Sequence, residues 1–166
     1  YQGSGINAER GMEETVSSMQ YIDNAILLII AKGDVLPKLK AMVREQALET
    51  KVMFMGPFAF DLLRQYTLHA SVGLSLDKDT CLSYRYSLPN KLFDYIQSSV
   101  PVLASPLPEV RKIVETYGIG LCIEDHRPEH IAEKIKSIGG IVRPLTSLFN
   151  CSFMSFAIVF PSTSMV

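Results

Sequence analysis

The chain has 166 residues and a net charge of −1, and 48% of its residues are hydrophobic. This composition is typical of one folded domain with a substantial core, and it lacks the basic clusters that bind nucleic acid phosphates. Its three cysteines show no CxxC pair and no metal-ligand spacing, which favours reduced thiols and a cytosolic setting.

The sequence opens at Tyr1, without an initiator methionine or a signal peptide. No apolar run reaches the roughly 20 residues that are needed to cross a bilayer. We therefore expect a fragment of a longer cytoplasmic protein.

Short apolar runs predict the buried strands of a sheet. The clearest run, residues 25–31, is apolar throughout, as expected of a parallel strand that is covered on both faces. Further runs of strand length occupy residues 51–55, 71–76, 100–105 and 119–123, and a short strand is predicted near Tyr1.

Amphipathic helical patterns fill the intervals between these strands. The apolar positions predicted to share helix faces are Met12, Val16 and Met19; Leu36, Leu39 and Val43; Leu62, Leu63, Tyr66 and Ala70; Val110, Ile113, Val114 and Tyr117; and Ile131, Ile135 and Ile138. Pro108 and Pro128 suit the first turns of the last two helices, and Gly118 and Gly139 suit their ends. Alternating strands and helices predict an α/β fold, a Rossmann-like three-layer domain with a parallel sheet.

The end of the chain departs from this pattern. Residues 144–166 contain no Lys, Arg, Asp or Glu, and they show no amphipathic helical period. We predict a folded domain over residues 1–140 and an uncharged tail over 141–166 that is poorly ordered or non-native. The alternative is a hydrophobic segment that docks against a further domain or a membrane surface.

Residues 77–96 are the most informative segment. Their first part predicts a polar loop, and either Ser87 or Asn90 can cap the helix that follows, with Pro89 stiffening its entry. In a parallel α/β sheet, this helix N-terminus would lie at the carboxyl ends of the strands, where nucleotides bind.

Asp94 lies one turn into this predicted helix. If Leu92, Phe93 and Ile96 pack inward, the Asp94 carboxylate faces the cleft and can accept hydrogen bonds from the 2′ and 3′ hydroxyls of a ribose. The alternative is an acid that merely complements the helix dipole at the surface. Spacing alone favours the alternative.

A glycine-rich loop, residues 3–11, precedes the first predicted helix. Gly3 and Gly5 would let backbone N–H groups approach an anion, and Arg10 can bind a phosphate through two hydrogen bonds. The loop matches neither the GxGxxG fingerprint nor a GxxxxGK(S/T) loop. As a bare motif it is weak, since a glycine-rich turn with a surface arginine is commoner.

Other polar features give weaker signals. Asp34 follows the 25–31 strand and could hold a ribose, although Lys-Gly-Asp is also an ordinary turn. Gly56 begins a turn that could line a base pocket. The histidines lack further ligands for a metal site, and no catalytic constellation can be assembled, so we assign neither a metal ligand nor a catalytic residue.

In this order, the motifs resemble the C-terminal, nucleotide-sugar-binding half of a group 1 glycosyltransferase, a retaining enzyme of the GT-B architecture. The resemblance covers roughly residues 1–138. It rests on SLPNKLFDYI at 87–96, PVLAS at 101–105 and PEV at 108–110, with support from residues 33–34 and 52–56.

The resemblance implies that Asp94 binds the donor ribose, at a position where glutamate is usual. The family usually carries two acids, of which Asp94 stands at the second; the first would fall eight positions earlier, on Tyr86, which is not an acid. The sugar would then contact the backbone of four residues, namely Ser87, Leu88, Pro89 and Asn90.

The resemblance also implies that Arg10, where lysine is more usual, binds the donor diphosphate beside Gly3 and Gly5. Ser4 stands in place of the companion arginine, and Lys91 could supply the missing charge. These cations and a helix N-terminus would stabilise the departing nucleoside diphosphate without a metal.

The resulting prediction is the donor-binding domain of a hexosyltransferase-type enzyme of polysaccharide or glycolipid biosynthesis. It would use a nucleotide sugar such as a UDP- or GDP-sugar, and a saccharide or lipid-linked acceptor held by a missing N-terminal domain. We expect an isolated domain that is inactive, in the cytoplasm or peripherally at the inner face of the membrane. Two alternatives are a nicotinamide-dependent oxidoreductase domain and a non-catalytic nucleotide-binding or interaction domain.

Overall fold

A computed structural model describes residues 1–3 and 9–141 of the chain. Its strands are β1 (Gln2–Gly3), β2 (Leu27–Ala31), β3 (Val52–Met55), β4 (Gly73–Ser75), β5 (Val102–Ala104) and β6 (Gly120–Cys122). Its helices are α1 (Met12–Ser18), α2 (Leu36–Glu45), α3 (Phe60–Leu68), α4 (Leu82–Tyr86), α5 (Asn90–Gln97), α6 (Pro108–Tyr117) and α7 (Pro128–Ile141). Every predicted strand is present, and β2 to β6 are each shorter than the apolar run that predicted them. Residues 142–166, which make up nearly all of the predicted tail, lie outside the described ranges.

The strands form two parallel three-stranded sheets, ordered β1–β2–β3 and β4–β5–β6. Leu27 pairs with Val52 in the first sheet, and Gly73 pairs with Val102 in the second. One hydrophobic cluster contains buried side chains of both sheets, from Ile29 in β2 to Leu103 in β5. The two sheets therefore share a core.

Helices cover both faces of the strands. The shared core also contains residues of α1, α2 and α7, namely Met12, Val16, Leu39, Val43, Ile131, Ala132, Ile135 and Ile138. A second cluster packs α5 and α6 against Val102 and Ala104 of β5, whereas Leu103 between them belongs to the shared core. Because successive strand residues point to opposite faces, this alternation confirms the predicted three-layer α/β domain.

The inward face of α5 differs from the prediction. Phe93 and Ile96 are 41% and 36% exposed, so the prediction that they pack inward is wrong, whereas Leu92 is buried as predicted. Tyr95 is buried instead, because β4 carries Gly73 at the point where the Tyr95 ring crosses it. A Cβ at Gly73 would overlap that ring.

Three predictions for other helices also fail. Leu62 is exposed because α3 turns Thr67 inward, and Tyr117 is exposed because the buried face of α6 ends at Val114. Gly139 does not end α7, which continues to Ile141.

Candidate nucleotide-binding cleft

A cleft of about 850 Å³ lies at the carboxyl ends of β1 and β2, between the β3–α3 loop and the α4–α5 segment. The structure brings eight predicted site residues to it: Gly3, Arg10, Ser87, Leu88, Pro89, Asn90, Lys91 and Asp94. Gly56 does not line the cleft, although the next two residues, Pro57 and Phe58, do. Gly5 lies outside the described residues.

Two cations of the cleft share one buried acid. Nη1 of Arg10 lies 3.0 Å from Oδ1 of Asp77, and Nζ of Lys91 lies 3.1 Å from Oδ2 of the same carboxylate. The side chains of Lys91 and Asp77 are only 7% and 5% exposed. We refer to these three residues as the Arg10–Asp77–Lys91 cluster.

The environment acts differently on the two cations of the cluster. Burial lowers the pKa of Lys91, and the negative charge of Asp77 only partly opposes this effect. Burial also acts to lower the pKa of Arg10, but the hydrogen bond and charge of Asp77 outweigh it and raise that pKa overall. Asp77 therefore favours the charged form of both groups.

Aromatic rings pack against both cations. The guanidinium carbon of Arg10 lies 4.4 Å from the centre of the Tyr84 ring, and Nζ of Lys91 lies 4.5 Å from the centre of the Tyr1 ring. Such contacts favour a cation over a ring face. Among the described residues, the buried Nε of Arg10 has no hydrogen-bond partner.

Asp94 is half-buried, and buried neighbours orient it. Its Oδ2 accepts a hydrogen bond of 2.8 Å from Nε2 of Gln2. The Oε1 atom of Gln2 in turn accepts one from the hydroxyl of Thr67. Gln2 lies in β1 and Thr67 in α3, and both are buried. The carboxylate is thus fixed at the cleft wall by two other elements.

Among the residues that the structure describes, no side chain caps the start of α5, so the predicted caps Ser87 and Asn90 are both wrong. Pro89 is the N-cap residue, and its side chain has no oxygen that could accept a hydrogen bond. Asn90 is already inside the helix, and the Ser87 hydroxyl donates to the Tyr84 carbonyl instead. The free N–H groups of the first turn therefore remain available to an anion at the cleft.

Sequence reasoning missed α4 and three residues of this region. Tyr1, Asp77 and Tyr84 contact the cations, but none of them forms a motif or a periodic pattern. Tyr86, at the position of the family's first acid, is exposed on the five-residue α4. The one sequence feature that could have identified Asp77 as a site residue is its position directly after a predicted strand.

The remaining polar candidates lie apart from the cleft. Asp34 is exposed in a turn where the N–H of Leu36 donates to the Gly33 carbonyl, as the turn interpretation predicted. Nε2 of His126 lies 3.1 Å from Ser105 Oγ.

Residues 1–3 and 9–141 contain no group of three potential metal ligands. The same ranges contain no helix with the length and apolar character to span a membrane.

The family model for "Glycosyl transferases group 1" matches residues 4–139. The chain therefore belongs to this family. The match confirms the predicted family and favours it over the nicotinamide-dependent alternative. A search of curated proteins returned no relative with significant similarity.

Several solved structures share the fold. WaaG, a glycosyltransferase involved in lipopolysaccharide biosynthesis, is 14% identical with a TM-score of 0.67, over 84% of this chain and 37% of WaaG. The C-terminal domain of the group 1 protein LpcC from Francisella tularensis is also 14% identical with a TM-score of 0.66, over 82% of this chain and 72% of that domain. Sucrose-phosphate synthase from Thermosynechococcus elongatus is 20% identical with a TM-score of 0.69, over 82% of this chain and 35% of the synthase.

The chain thus spans little more than a third of the full-length similar structures but most of an isolated C-terminal domain. Its fold is that of the Rossmann-like C-terminal half of a GT-B glycosyltransferase.

Proposed function

We propose that this chain is the donor-binding domain of a glycosyltransferase and that the cleft holds the nucleoside diphosphate of a nucleotide sugar, such as a UDP- or GDP-sugar. One observation carries the proposal: Arg10, Lys91 and the uncapped start of α5 meet in a single cleft with the oriented carboxylate of Asp94. Cations and a helix N-terminus recognise phosphates, and a carboxylate recognises a vicinal diol.

We assign each of these groups of the cleft to one part of the nucleotide. Asp77 holds Arg10 and Lys91 side by side, so their donors can serve neighbouring phosphates. Asp94 lies one helical turn beyond Lys91, and it would bind the ribose hydroxyls. Pro57 and Phe58 line the same cleft and would contact the base. Gly3 and Gly5 would lie against the diphosphate.

The proposed reaction transfers a sugar to a saccharide or lipid-linked acceptor with retention at the anomeric carbon. As the glycosidic bond to the donor breaks, negative charge develops on the leaving diphosphate, and Arg10, Lys91 and the start of α5 would stabilise it. The backbone of residues 87–90 would contact the sugar. We assign no catalytic base to this domain and propose that no metal is required.

The acceptor would be held by an N-terminal domain beyond this chain, and the isolated domain would be inactive. We place the reaction in the cytoplasm, and peripherally at the inner face of the membrane where the acceptor is lipid-linked.

The first test is saturation-transfer NMR of the 166-residue chain with UDP, GDP and the corresponding sugars. We expect contacts from the base and ribose of at least one nucleotide, with more than about tenfold weaker binding in Arg10→Ala because a charge-assisted contact is lost. Arg44→Ala, an exposed arginine of α2, is the matched control and should bind as the wild type does. Absence of contact from every nucleotide would contradict the proposal.

The ribose assignment has its own test. Asp94→Ala should weaken nucleotide binding about tenfold, since it removes an acceptor of the ribose hydroxyls. Asp34→Ala changes an exposed acid of a turn and should leave the affinity unchanged. Equal affinities of wild type and Asp94→Ala would refute the assignment to Asp94, and a loss in Asp34→Ala would move the ribose to that turn.

A further inference from the structure

We propose that Asp77 is a positioning residue of the donor site, whose negative charge between Arg10 and Lys91 keeps Lys91 a cation for a bound diphosphate. This inference rests on the proposed function of the cleft. Asp77 itself is not among the residues that line the cleft, whereas both of its cationic partners are. Asp77 would therefore act on the ligand through these two cations and not by contact.

The geometry is that of a bridge. Oδ1 of Asp77 accepts hydrogen bonds from Nη1 of Arg10 at 3.0 Å and from Nζ of Lys91 at 3.3 Å, and Oδ2 lies 3.1 Å from the same Nζ. These cations come from distant parts of the chain, namely the segment just before α1 and the first turn of α5. No other acid among the described residues forms an ion pair with either cation.

The backbone holds Asp77 in place for this bridge. The N–H of Lys78 donates to the Glu9 carbonyl at 2.9 Å. Gly11 packs so closely on the Leu76 carbonyl that a Cβ there would overlap it. The residues on either side of Asp77 are therefore fixed to the residues on either side of Arg10.

The negative charge of Asp77 affects how well Lys91 can bind an anion. Lys91 and Arg10 repel each other, and burial disfavours the protonated form of Lys91, so Asp77 is the main group that favours its charge. The other titratable groups that face the cluster are the phenol and amino group of Tyr1 and the phenol of Tyr84. Without the Asp77 charge, Lys91 would lose its proton at a lower pH.

The test uses inorganic pyrophosphate, which probes the cations without a base or ribose. Its affinity for the 166-residue chain would be measured by NMR titration from about pH 6 to about pH 10, a range that approaches the ordinary lysine pKa. Asp77→Asn should bind at the acidic end at least as well as the wild type. It should lose about tenfold in affinity relative to the wild type at the alkaline end, because a charge-assisted contact is lost there.

A merely structural role of Asp77 would give a different result, namely weaker binding by the same factor at every pH. Comparison with the wild type at each pH removes the titration of pyrophosphate itself. Asp79→Asn is the matched control, because Asp79 is half exposed and pairs with Arg85 at 3.6 Å on the surface. A uniform loss in Asp77→Asn, or no loss, would overturn the inference.

Lys91→Gln keeps the Arg10–Asp77 pair and covers the case in which Asp77→Asn does not fold. In the wild type, we expect the affinity for pyrophosphate to fall toward the alkaline end as Lys91 loses its proton, and Lys91→Gln should abolish this fall. If the affinity of Lys91→Gln still fell in the same way, the inference would be overturned. A chain that binds pyrophosphate but neither UDP nor GDP would contradict the proposed function alone. A chain that binds UDP with the same pH profile in Asp77→Asn would contradict only the role of Asp77.

Discussion

Single residues of the cleft owe their roles to partners that lie far away in the sequence. Asp94 was identified from a motif around it, whereas its orientation depends on Gln2, 92 residues earlier. Asp77 was missed because it lies in a polar loop, where burial has no sequence signal. Its ion pair with Arg10 spans 67 residues, which only the tertiary structure reveals.

Gln2 offers a prediction at this scale. Gln2→Met keeps a side chain of similar size but removes the donor that orients the Asp94 carboxylate. We expect nucleotide affinity to fall about threefold to tenfold. The free energy of unfolding should fall by about 1–3 kcal/mol, because the change removes both the hydrogen bond to Asp94 and the one from Thr67. Nucleotide titration and urea denaturation would measure these two effects.

The matched control is Gln20→Met, because Gln20 makes only an exposed hydrogen bond with Gln46. It should change neither quantity. If Gln2→Met bound nucleotide like the wild type, Asp94 would not depend on Gln2 for its orientation.

Among elements, α5 is the one that positions the cleft, since Lys91 and Asp94 both lie on it. The sequence predicted this helix and its acid, but not which side faces inward. Hydrophobicity favours Phe93 and Ile96 as buried residues, yet the space left by Gly73 admits Tyr95 instead. A close contact between two elements cannot be read from the periodicity of either one alone.

Gly73→Ala tests how strictly this contact fixes α5. The added methyl group would overlap the Tyr95 ring, so that helix or β4 must shift. We expect the free energy of unfolding to fall by about 1–3 kcal/mol, as for other overpacked cores. Nucleotide affinity should fall as well, because the shift displaces Lys91 and Asp94. Urea denaturation and UDP or GDP titration would measure both.

Gly56→Ala is the control at this scale, since nothing lies within 4 Å of the Cβ that it would add. It should leave stability and affinity unchanged. A stable Gly73→Ala variant with full affinity would show that α5 does not depend on this contact.

For the whole molecule, the fold class was predictable because strand and helix patterns alternate along most of the chain. The division into two three-stranded sheets was not, because it depends on which short strands pair. Likewise, Gly3, Arg10, Lys91 and Asp94 were predicted one by one, whereas their meeting in one cleft follows from the parallel strand order. Local patterns therefore predict elements better than they predict how elements combine into a site.

Alkaline pH should destabilise the whole fold through its buried phenols. Burial raises the pKa of Tyr95 well above its ordinary value, and it acts on Tyr1 in the same direction. Above about pH 10 the unfolded chain releases these protons while the native protein retains them, so the free energy of unfolding falls as pH rises. Each phenol contributes a slope of at most about 1.4 kcal/mol per pH unit.

Tyr95→Phe removes one of the two phenols and keeps the buried ring, which packs beside Gly73. The hydroxyl that it removes donates to the Leu74 carbonyl at 3.5 Å. Urea denaturation between about pH 8 and about pH 11 should therefore give a shallower alkaline loss of stability than in the wild type. Tyr117→Phe, at an exposed tyrosine, should reproduce the wild-type slope. If the free energy of unfolding fell with the same slope per pH unit in Tyr95→Phe and in the wild type, the Tyr95 phenol would have to ionise as readily in the native protein as in the unfolded chain. Its burial between α5 and β4 would then not persist in solution.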